Sequence, residues 1–358
     1  MKAQVIIDGL RLGATLTGIE RFTLTIISYL RGRSDLALTV YGGDRLVLLH
    51  HLLLLPLTVL FNRRARVVLS LFPPSPLFFL CARRTLFLAH DMFYLDRKDL
   101  LNWRARFYLS PCMLLGTKFL RHYLVNSEYT KQRLLAYVDK DKVTIDYLRP
   151  IIENIFKLTY VERHIRPAGP IKLIAIGTVE PRKNYAYAID IVDRLRTVHQ
   201  LDVELEIFGR RGWKVDELTD GKPFVSVREG VDDAVLSAAI DSAHFIVSTS
   251  LAEGLGLPML EVQHGGLPAI ASPIDAYRET LKGGAIFVPF DDVPAAAAAI
   301  AQVIGSAEAY GSLCQAAAAN LRVWNETAGP DWERLAQRLK SSDFEQRTRI
   351  LVKRPAAE

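Results

Sequence analysis

Ser250-Leu-Ala-Glu-Gly-Leu-Gly-Leu-Pro-Met-Leu-Glu261 is the stretch on which the fold turns. It follows His244-Phe-Ile-Val-Ser-Thr249, an apolar run of strand length, and leads into Met259-Leu-Glu-Val-Gln-His264, which reads as a helix ending at Gly265-Gly266. A strand gives way to a glycine loop, and a helix begins behind Pro258, a residue suited to the first helical turn. Free N–H groups and the positive end of a helix dipole suit an anionic ligand. Glu253 before the loop and Glu261 inside the helix supply acceptors for sugar or ribose hydroxyls. Donors for phosphate beside acceptors for hydroxyls describe a nucleotide-sugar site.

The surrounding sequence repeats this strand–loop–helix pattern. Ile171-Lys-Leu-Ile-Ala-Ile-Gly177 reads as a strand, Thr178-Val-Glu-Pro-Arg-Lys-Asn184 as its loop and Tyr185 to Leu195 as a helix. An Arg and a Lys at the end of a strand suit a leaving diphosphate: Arg182 offers a two-pronged fork and Lys183 a point charge. Further strands are Val203–Gly209, Phe224–Gly230, Ala269–Ser272 and Ala285–Val288. Helices are expected at Asp232–Ile240, with Asp232 as cap, and at Ala295–Val303. The alternation predicts a parallel, doubly wound sheet. Trp324 to Leu339 holds closing helices, and the tail from Lys340 is charged.

The first half reads the same way. Val5-Ile6-Ile7-Asp8-Gly9 is a strand, Thr17-Gly18-Ile19-Glu20 a loop, and Leu24 to Leu30 a helix. Gly18 can bring backbone close to a phosphate, whereas Glu20 makes the loop less hospitable to an anion. Val67–Phe72 is a strand ended by Pro73-Pro74, and Thr85–Ala89 is another that delivers His90-Asp91 at its carboxyl end, where parallel sheets bind ligands. Trp103 to Leu120 forms an amphipathic helix, and Ser127 caps a helix behind strand Tyr123–Ser127. Asp139-Lys-Asp141 follows a helix and reads as a charged turn; no metal site is expected there. Leu46 to Leu60 is dense in leucine but shorter than the about 20 residues a bilayer span needs. With Asn62-Arg-Arg-Ala-Arg66 behind it, the stretch is either an interfacial segment or a buried helix with a basic end.

The Glu253–Glu261 spacing resembles the Glu-x7-Glu signature of the retaining glycosyltransferases of family 4, with Leu255 where Phe is common. Gly177 to Asn184 resembles their Gly-x-x-x-Pro-Arg-Lys-Asn segment. The Gly18 loop resembles their Gly-Gly-Ile-Gly-Arg-Tyr, with Thr17 and Glu20 replacing two glycines. His90-Asp91 is similar to their acceptor-side His-Asp, and Val125 to Thr130 to their V-x-S-x-x-T joint. The resemblance implies the α/β GT-B fold, two doubly wound Rossmann-like domains facing each other across a cleft. Residues 1–165 would be the acceptor side, 166–330 the donor-binding domain and 331–358 a closing helix and charged tail. Tyr147 to Glu153 stands where the family crosses with an Asn-Gly-Val-Asp-like segment, and Arg166-Pro-Ala-Gly-Pro170 reads as the linker.

The roles that follow by resemblance are these. Arg182 and Lys183 hold the diphosphate, Glu261 binds ribose, and Glu253 holds the sugar together with the amides of Gly254, Leu255, Gly256 and Leu257. Gly18 approaches the phosphate, residues 228–231 meet the base, and His90 lies by the sugar's reacting face with Asp91 beside it. The reaction is retaining, with the departing phosphate helping to deprotonate the acceptor; no cofactor or metal is expected. The likeness is to bacterial mannosyl- and rhamnosyltransferases. It implies a GDP-mannose-like donor and a glycan or lipid-linked glycan acceptor in cell-surface polysaccharide, including lipopolysaccharide, synthesis.

Half of the 358 residues are apolar, enough for two domains with separate cores. Cys81, Cys112 and Cys314 form no disulfide or metal pattern and fit a reducing compartment. The first residues carry too short an apolar run for a secretory signal. Residues 1–165 hold 24 Lys/Arg against 13 Asp/Glu, and residues 166–358 hold 21 against 26. A basic first half suits an anionic membrane surface or an anionic substrate as readily as solvent. The expected location is cytoplasmic and peripheral on the inner face of the cell membrane, with no nucleic-acid partner. A catalytically silent nucleotide-sugar-binding subunit and a GT-B sugar-nucleotide epimerase are the alternatives. A dehydrogenase is disfavoured because no Gly-x-Gly-x-x-Gly follows the first strand.

Overall fold

Val5, Ile6 and Ile7 are each almost fully buried, as a strand covered on both faces requires. They belong to β1 (Ala3–Asp8) of the first of two compact units, formed by residues 1–126, 130–149 and 330–358. The computed structural model describes all residues except 1, 11, 13–16, 43–45, 102, 104, 166–168, 213–217, 220 and 342–358. β2 (Leu36–Tyr41), β3 (Arg66–Leu69), β4 (Thr85–Ala89), β5 (His122–Val125) and β6 (Thr144–Tyr147) complete a parallel sheet in the order β2-β1-β3-β4-β5-β6. The helix Gly18–Arg31 lays Phe22, Ile26, Ile27 and Leu30 against one face of it, together with Trp332, Leu335 and Leu339 from near the C-terminus. These positions recur at the helical repeat.

The second unit, residues 127–129 and 150–329, repeats the plan. Its strands are β7 (Ile171–Ile176), β8 (Val203–Phe208), β9 (Val225–Arg228), β10 (Phe245–Ser248), β11 (Ala269–Ala271) and β12 (Ala285–Phe287). They form a parallel sheet ordered β12-β11-β10-β7-β8-β9. The expected strands thus all form, and both sheets are doubly wound.

The expected domain limits need correction. The chain crosses between units at Arg149/Pro150, not at 165/166, and returns at Gly329/Pro330. The reason is burial: Ile152, Phe156 and Leu158 are core residues of the second unit, although no strand or helix carries them. Most of the expected linker, residues 166–168, lies outside the described residues, as does the tail beyond Ser341. The closing helices are one helix, Ala307–Lys340, with Pro330 inside it. Trp324 Nε1 donates to Pro150 O (2.9 Å) in the second unit, and Trp332 Nε1 donates to Arg149 O (2.9 Å) in the first.

The leucine-rich stretch is helical, with a π turn at His50–Leu54 between Val47–Leu49 and Leu55–Phe61. Leu55, Pro56 and Val59 are buried, while Leu48, Leu49, Leu53 and Phe61 face solvent. It is a core helix with a second, exposed apolar face. Arg66 does not belong to the exposed basic cluster: its Nη1 donates to Arg338 O at 2.8 Å.

Arg163 anchors the crossing segment. It is 6% exposed, and its guanidinium donates to Gly265 O (2.8 Å), Ala243 O (2.7 Å), Asp241 O (3.2 Å) and Ile240 O (3.3 Å). Three of these carbonyls close the helix Asp233–Ser242, where a cation also complements the dipole. Arg163→Met keeps the aliphatic stem and strips the donors. It should cost about 3 kcal/mol, read as a lower urea midpoint with unchanged slope. A change below about 0.5 kcal/mol would refute the anchoring role.

Candidate functional site

In the second unit β7 pairs with β8 on one side and with β10 on the other, Leu173 facing Phe245 and Ile174 facing Ile246. The order of the sheet reverses between β7 and β10, and ligands of open parallel sheets bind outside the carboxyl ends of strands at such a point. Two loops distant in sequence therefore meet there, residues 178–184 and residues 249–256. Backbone holds them together: Leu251 N donates to Arg182 O (2.9 Å), and Thr249 Oγ1 donates to Asn184 O (2.8 Å) and Lys183 O (3.2 Å).

Glu253 stands at the centre. Its Oε1 receives Lys183 Nζ (2.6 Å), Arg182 Nη1 (2.9 Å) and Ser250 Oγ (2.8 Å). Burial alone would raise its carboxyl; the charges of Lys183 and Arg182, with the bonds from Lys183 and Ser250, outweigh that and hold it at about 2. Arg182 is pressed down by burial and pushed higher by Glu253 and Glu180, so it stays charged. The hydroxyls continue inward. Ser250 uses its proton on Glu253, so Ser248 donates to Ser250 (3.0 Å) and Tyr277 to Ser248 (2.6 Å).

The Arg182 fork is occupied. Nε (3.1 Å) and Nη2 (2.6 Å) both donate to Glu180 Oε1, and Nη1 also reaches Ala252 O (2.9 Å). Two cations and two carboxylates make this cluster close to electroneutral. Glu180, Ser248 and Tyr277 were missed from sequence. The signal for Glu180 was its place two residues before Arg182; nothing local marks Tyr277, which arrives from another helix, Asp275–Leu281.

The glycine loop is shaped by Gly256, whose φ of +79° favours glycine and whose added Cβ would lie 2.4 Å from the Tyr277 ring. Gly254 precedes it. Leu255, at 5% exposure, packs with Met259, Leu260 and Tyr277, so only its backbone can meet a ligand. Leu257 begins the short helix Leu257–Glu261, which continues as a 3₁₀ turn to Gly265. The run therefore reaches Gly265 as expected, but only its first part is α-helical. Glu261 is buried at the end of its α-helical part. In the 228–231 loop Arg228 pairs with Glu206 (2.8 Å), and Glu229 Oε2 accepts from Arg211 N (2.9 Å).

In the first unit His90 and Asp91 follow β4 as expected. His90 Nε2 lies 2.9 Å from Ser70 O, and the His90 carbonyl accepts from Asn126 Nδ2 (2.9 Å) and Thr130 Oγ1 (3.2 Å). Asp91 Oδ1 accepts from Phe93 N (3.0 Å), which fixes the turn behind it. Gly18 is the first residue of its helix. The helix N-terminus closes on itself in a capping box: Thr17 N donates to Glu20 Oε2 (2.7 Å) and Glu20 N to Thr17 Oγ1 (3.4 Å). Glu20 therefore caps the helix as well as adding negative charge. Asp139 pairs with Lys142 and accepts from Asp141 N, as a charged turn does.

Replacing Glu253 tests the cluster. A depressed carboxyl contributes stability that is present above its unfolded value near 4.5 and lost as pH falls through about 2. Glu253→Gln should be less stable than the parent by about 3 kcal/mol at pH 7. The gap should narrow between pH 5 and 2 in thermal or urea melts; a pH-independent gap would contradict the ion pair.

Residues 170–306 match the family described as glycosyl transferases group 1. Over 119 residues the chain is 29% identical to the serotype-specific mannosyltransferase WbdA of Escherichia coli, covering 31% of this chain and 14% of that one. Over 134 residues it is 31% identical to the O-antigen chain mannosyltransferase B of Escherichia coli, covering 36% and 35%. The chain thus spans only 14% of the length of one curated relative and 35% of the other. Among solved structures it resembles a sucrose-phosphate synthase from Thermosynechococcus elongatus (TM-score 0.73, 12% identity, 94% of this chain and 99% of that one). It also resembles WaaG, a glycosyltransferase involved in lipopolysaccharide biosynthesis (TM-score 0.69, 14% identity, 94% and 100%). These identities bear on fold alone. On the two parallel sheets and the solved structures together, the chain has the GT-B fold, and its residues 170–306 resemble the group 1 glycosyl transferases.

Proposed function

We propose that the chain is a retaining hexosyltransferase that moves a sugar, mannose in the reading its relatives' names favour, from a nucleotide-sugar donor to a glycan or lipid-linked glycan. The observation that carries this is the Glu253–Lys183–Arg182 cluster at the reversal point of the second sheet. A buried carboxylate there accepts sugar hydroxyls, and cations beside it answer the charge that grows as a nucleoside diphosphate leaves. Lys183, with three ammonium donors, meets the diphosphate, and Glu253 meets the sugar. Arg182 holds the two loops in register and supports the same charge. Glu261 takes the ribose, and His90 takes a hydroxyl near the reacting carbon. The chemistry is then positioning and charge stabilisation, with protein cations where other enzymes use a metal.

A second reading, a catalytically silent nucleotide-sugar-binding subunit, draws support from the capping box, which uses amides that a glycine loop would offer to phosphate. Transfer assays with several sugar nucleotides separate the two. Lys183→Ala and Arg182→Ala should each lower turnover about 100-fold or more in folded protein. Turnover of the parent should persist in excess chelator. Near-normal turnover of both variants would remove the assignment, and loss on chelation restored by Mg²⁺ or Mn²⁺ would remove metal independence.

We also propose peripheral docking on an anionic bilayer through the first unit. Among the described residues no helix is long and apolar enough to cross a membrane. The stretch from Leu46 exposes Leu48, Leu49, Leu53 and Phe61, and Arg63 and Arg64 follow, both exposed. Apolar insertion and about 1 kcal/mol per basic residue give reversible attachment, screened by salt. Binding to phosphatidylserine-containing vesicles should fall with added salt, and reversing Arg63 and Arg64 to Glu should weaken it at least about tenfold. Absence of binding by the parent at low salt would refute docking.

A further inference from the structure

Asp8 lies within the strand expected over Val5–Gly9, and the sequence assigns it no role. It ends β1, Ser70 follows β3, and the order of the first sheet reverses between these two strands. The Asp8 side chain is buried, and its carboxylate takes two successive amides, Ser70 N on Oδ1 (2.7 Å) and Leu71 N on Oδ2 (2.9 Å). Burial raises its carboxyl to about 6 against the pull of those amides, so it is ionised at neutral pH. The backbone it grips carries the Ser70 carbonyl that meets His90.

The direction of each bond follows from counting protons. Thr23 Oγ1 lies 2.9 Å from Ile19 O, a carbonyl that can only accept, so the Thr23 proton is spent there. The 2.7 Å contact between Thr23 and Ser70 hydroxyls must then use the Ser70 proton. His90 Nε2 is therefore flanked by acceptors alone, Ser70 O at 2.9 Å and Ser70 Oγ at 3.4 Å, and must itself carry hydrogen. Burial lowers the His90 imidazolium to about 4, so the ring is neutral at neutral pH and Nδ1 is bare. Phe22 stands edge-on to the ring at 5.8 Å.

We propose that Asp8 is a positioning residue: by holding the Ser70–Leu71 backbone it fixes His90 as the Nε2–H tautomer, whose Nδ1 accepts from a ligand hydroxyl and disfavours a phosphate oxygen. This rests on the placement of His90 by the transferring sugar, but its first test needs no substrate. In ¹⁵N-histidine-labelled full-length protein at pH 7, two-bond ¹H–¹⁵N correlations, assigned by the loss of one set in His90→Gln, should show a single neutral Nε2–H tautomer for His90. An Nδ1–H tautomer or an imidazolium in the parent would overturn the proposal and leave the transferase reading standing. Asp8→Asn replaces one acceptor oxygen by an N–H donor facing an amide. It should bring in the second tautomer and lower kcat about tenfold with donor KM changed less than about twofold. A folded Asp8→Asn protein with parental tautomer and kcat would equally overturn it. If that variant does not fold, Asp8→Glu, which keeps a carboxylate but displaces it from the two amides, takes its place in the same two measurements.

Discussion

A carboxylate removed from water must find opposite charge or hydrogen-bond donors, or lose its own charge, and Glu253 meets that demand with Lys183, Arg182 and Ser250 on a single oxygen. Much of the second unit follows from this. The two loops that supply the partners must end adjacent strands, which requires β10 to lie beside β7 although about 70 residues separate them. The helix Tyr185–Thr197 must start immediately behind Lys183, and Asn184 takes a left-handed conformation, φ +51°, to turn the chain into it. Gly256 must pass the Tyr277 ring without a side chain, because that ring closes the hydroxyl chain to Ser250.

Much of this was legible in the sequence because parallel strands buried on both faces read as unbroken apolar runs. Ile171–Ile176, Val203–Phe208 and Phe245–Ser248 announce themselves, and the residue types after them announce chemistry. Arg182, Lys183 and Glu253 were identified separately, one group for phosphate and one for sugar. That they touch one another was not legible, because contact between strand ends depends on sheet order, a non-local property. The same limit hid Tyr277 and the Asp8–Ser70 pair, whose members are 62 positions apart.

The crossing shows a different limit. Pro150 to Arg163 has no periodicity to read, since it is neither strand nor helix, and its place is set by Ile152, Phe156, Leu158 and the carbonyls that Arg163 satisfies. A glycine- and proline-rich pentapeptide at 166–170 was the stronger linker signal by composition. The division of the chain falls instead at Arg149/Pro150, behind which three large apolar side chains join the second core. Leu255 teaches the converse. Its amide, not its side chain, is the group expected to meet a ligand, and the side chain, at 5% exposure, is held by the core.

The electrostatic state of the cluster bears on how such a site works. Glu180 and Glu253 offset Arg182 and Lys183 before any ligand arrives. On the proposed reading, a donor diphosphate enters a site whose cations are already paired, so ground-state attraction is modest. On that reading charge would accumulate on the leaving phosphate as the glycosidic bond breaks, and the cations would shift their bonding from carboxylate to phosphate oxygen. An interaction that strengthens along the reaction lowers the barrier, whereas one equally strong at the start deepens substrate binding without raising kcat. Pairing with carboxylates also holds the cations beside the site, so an exchange of partners is all that would remain when the charge develops. Glu180 is then the group that would hold the guanidinium plane until phosphate oxygens compete for its donors.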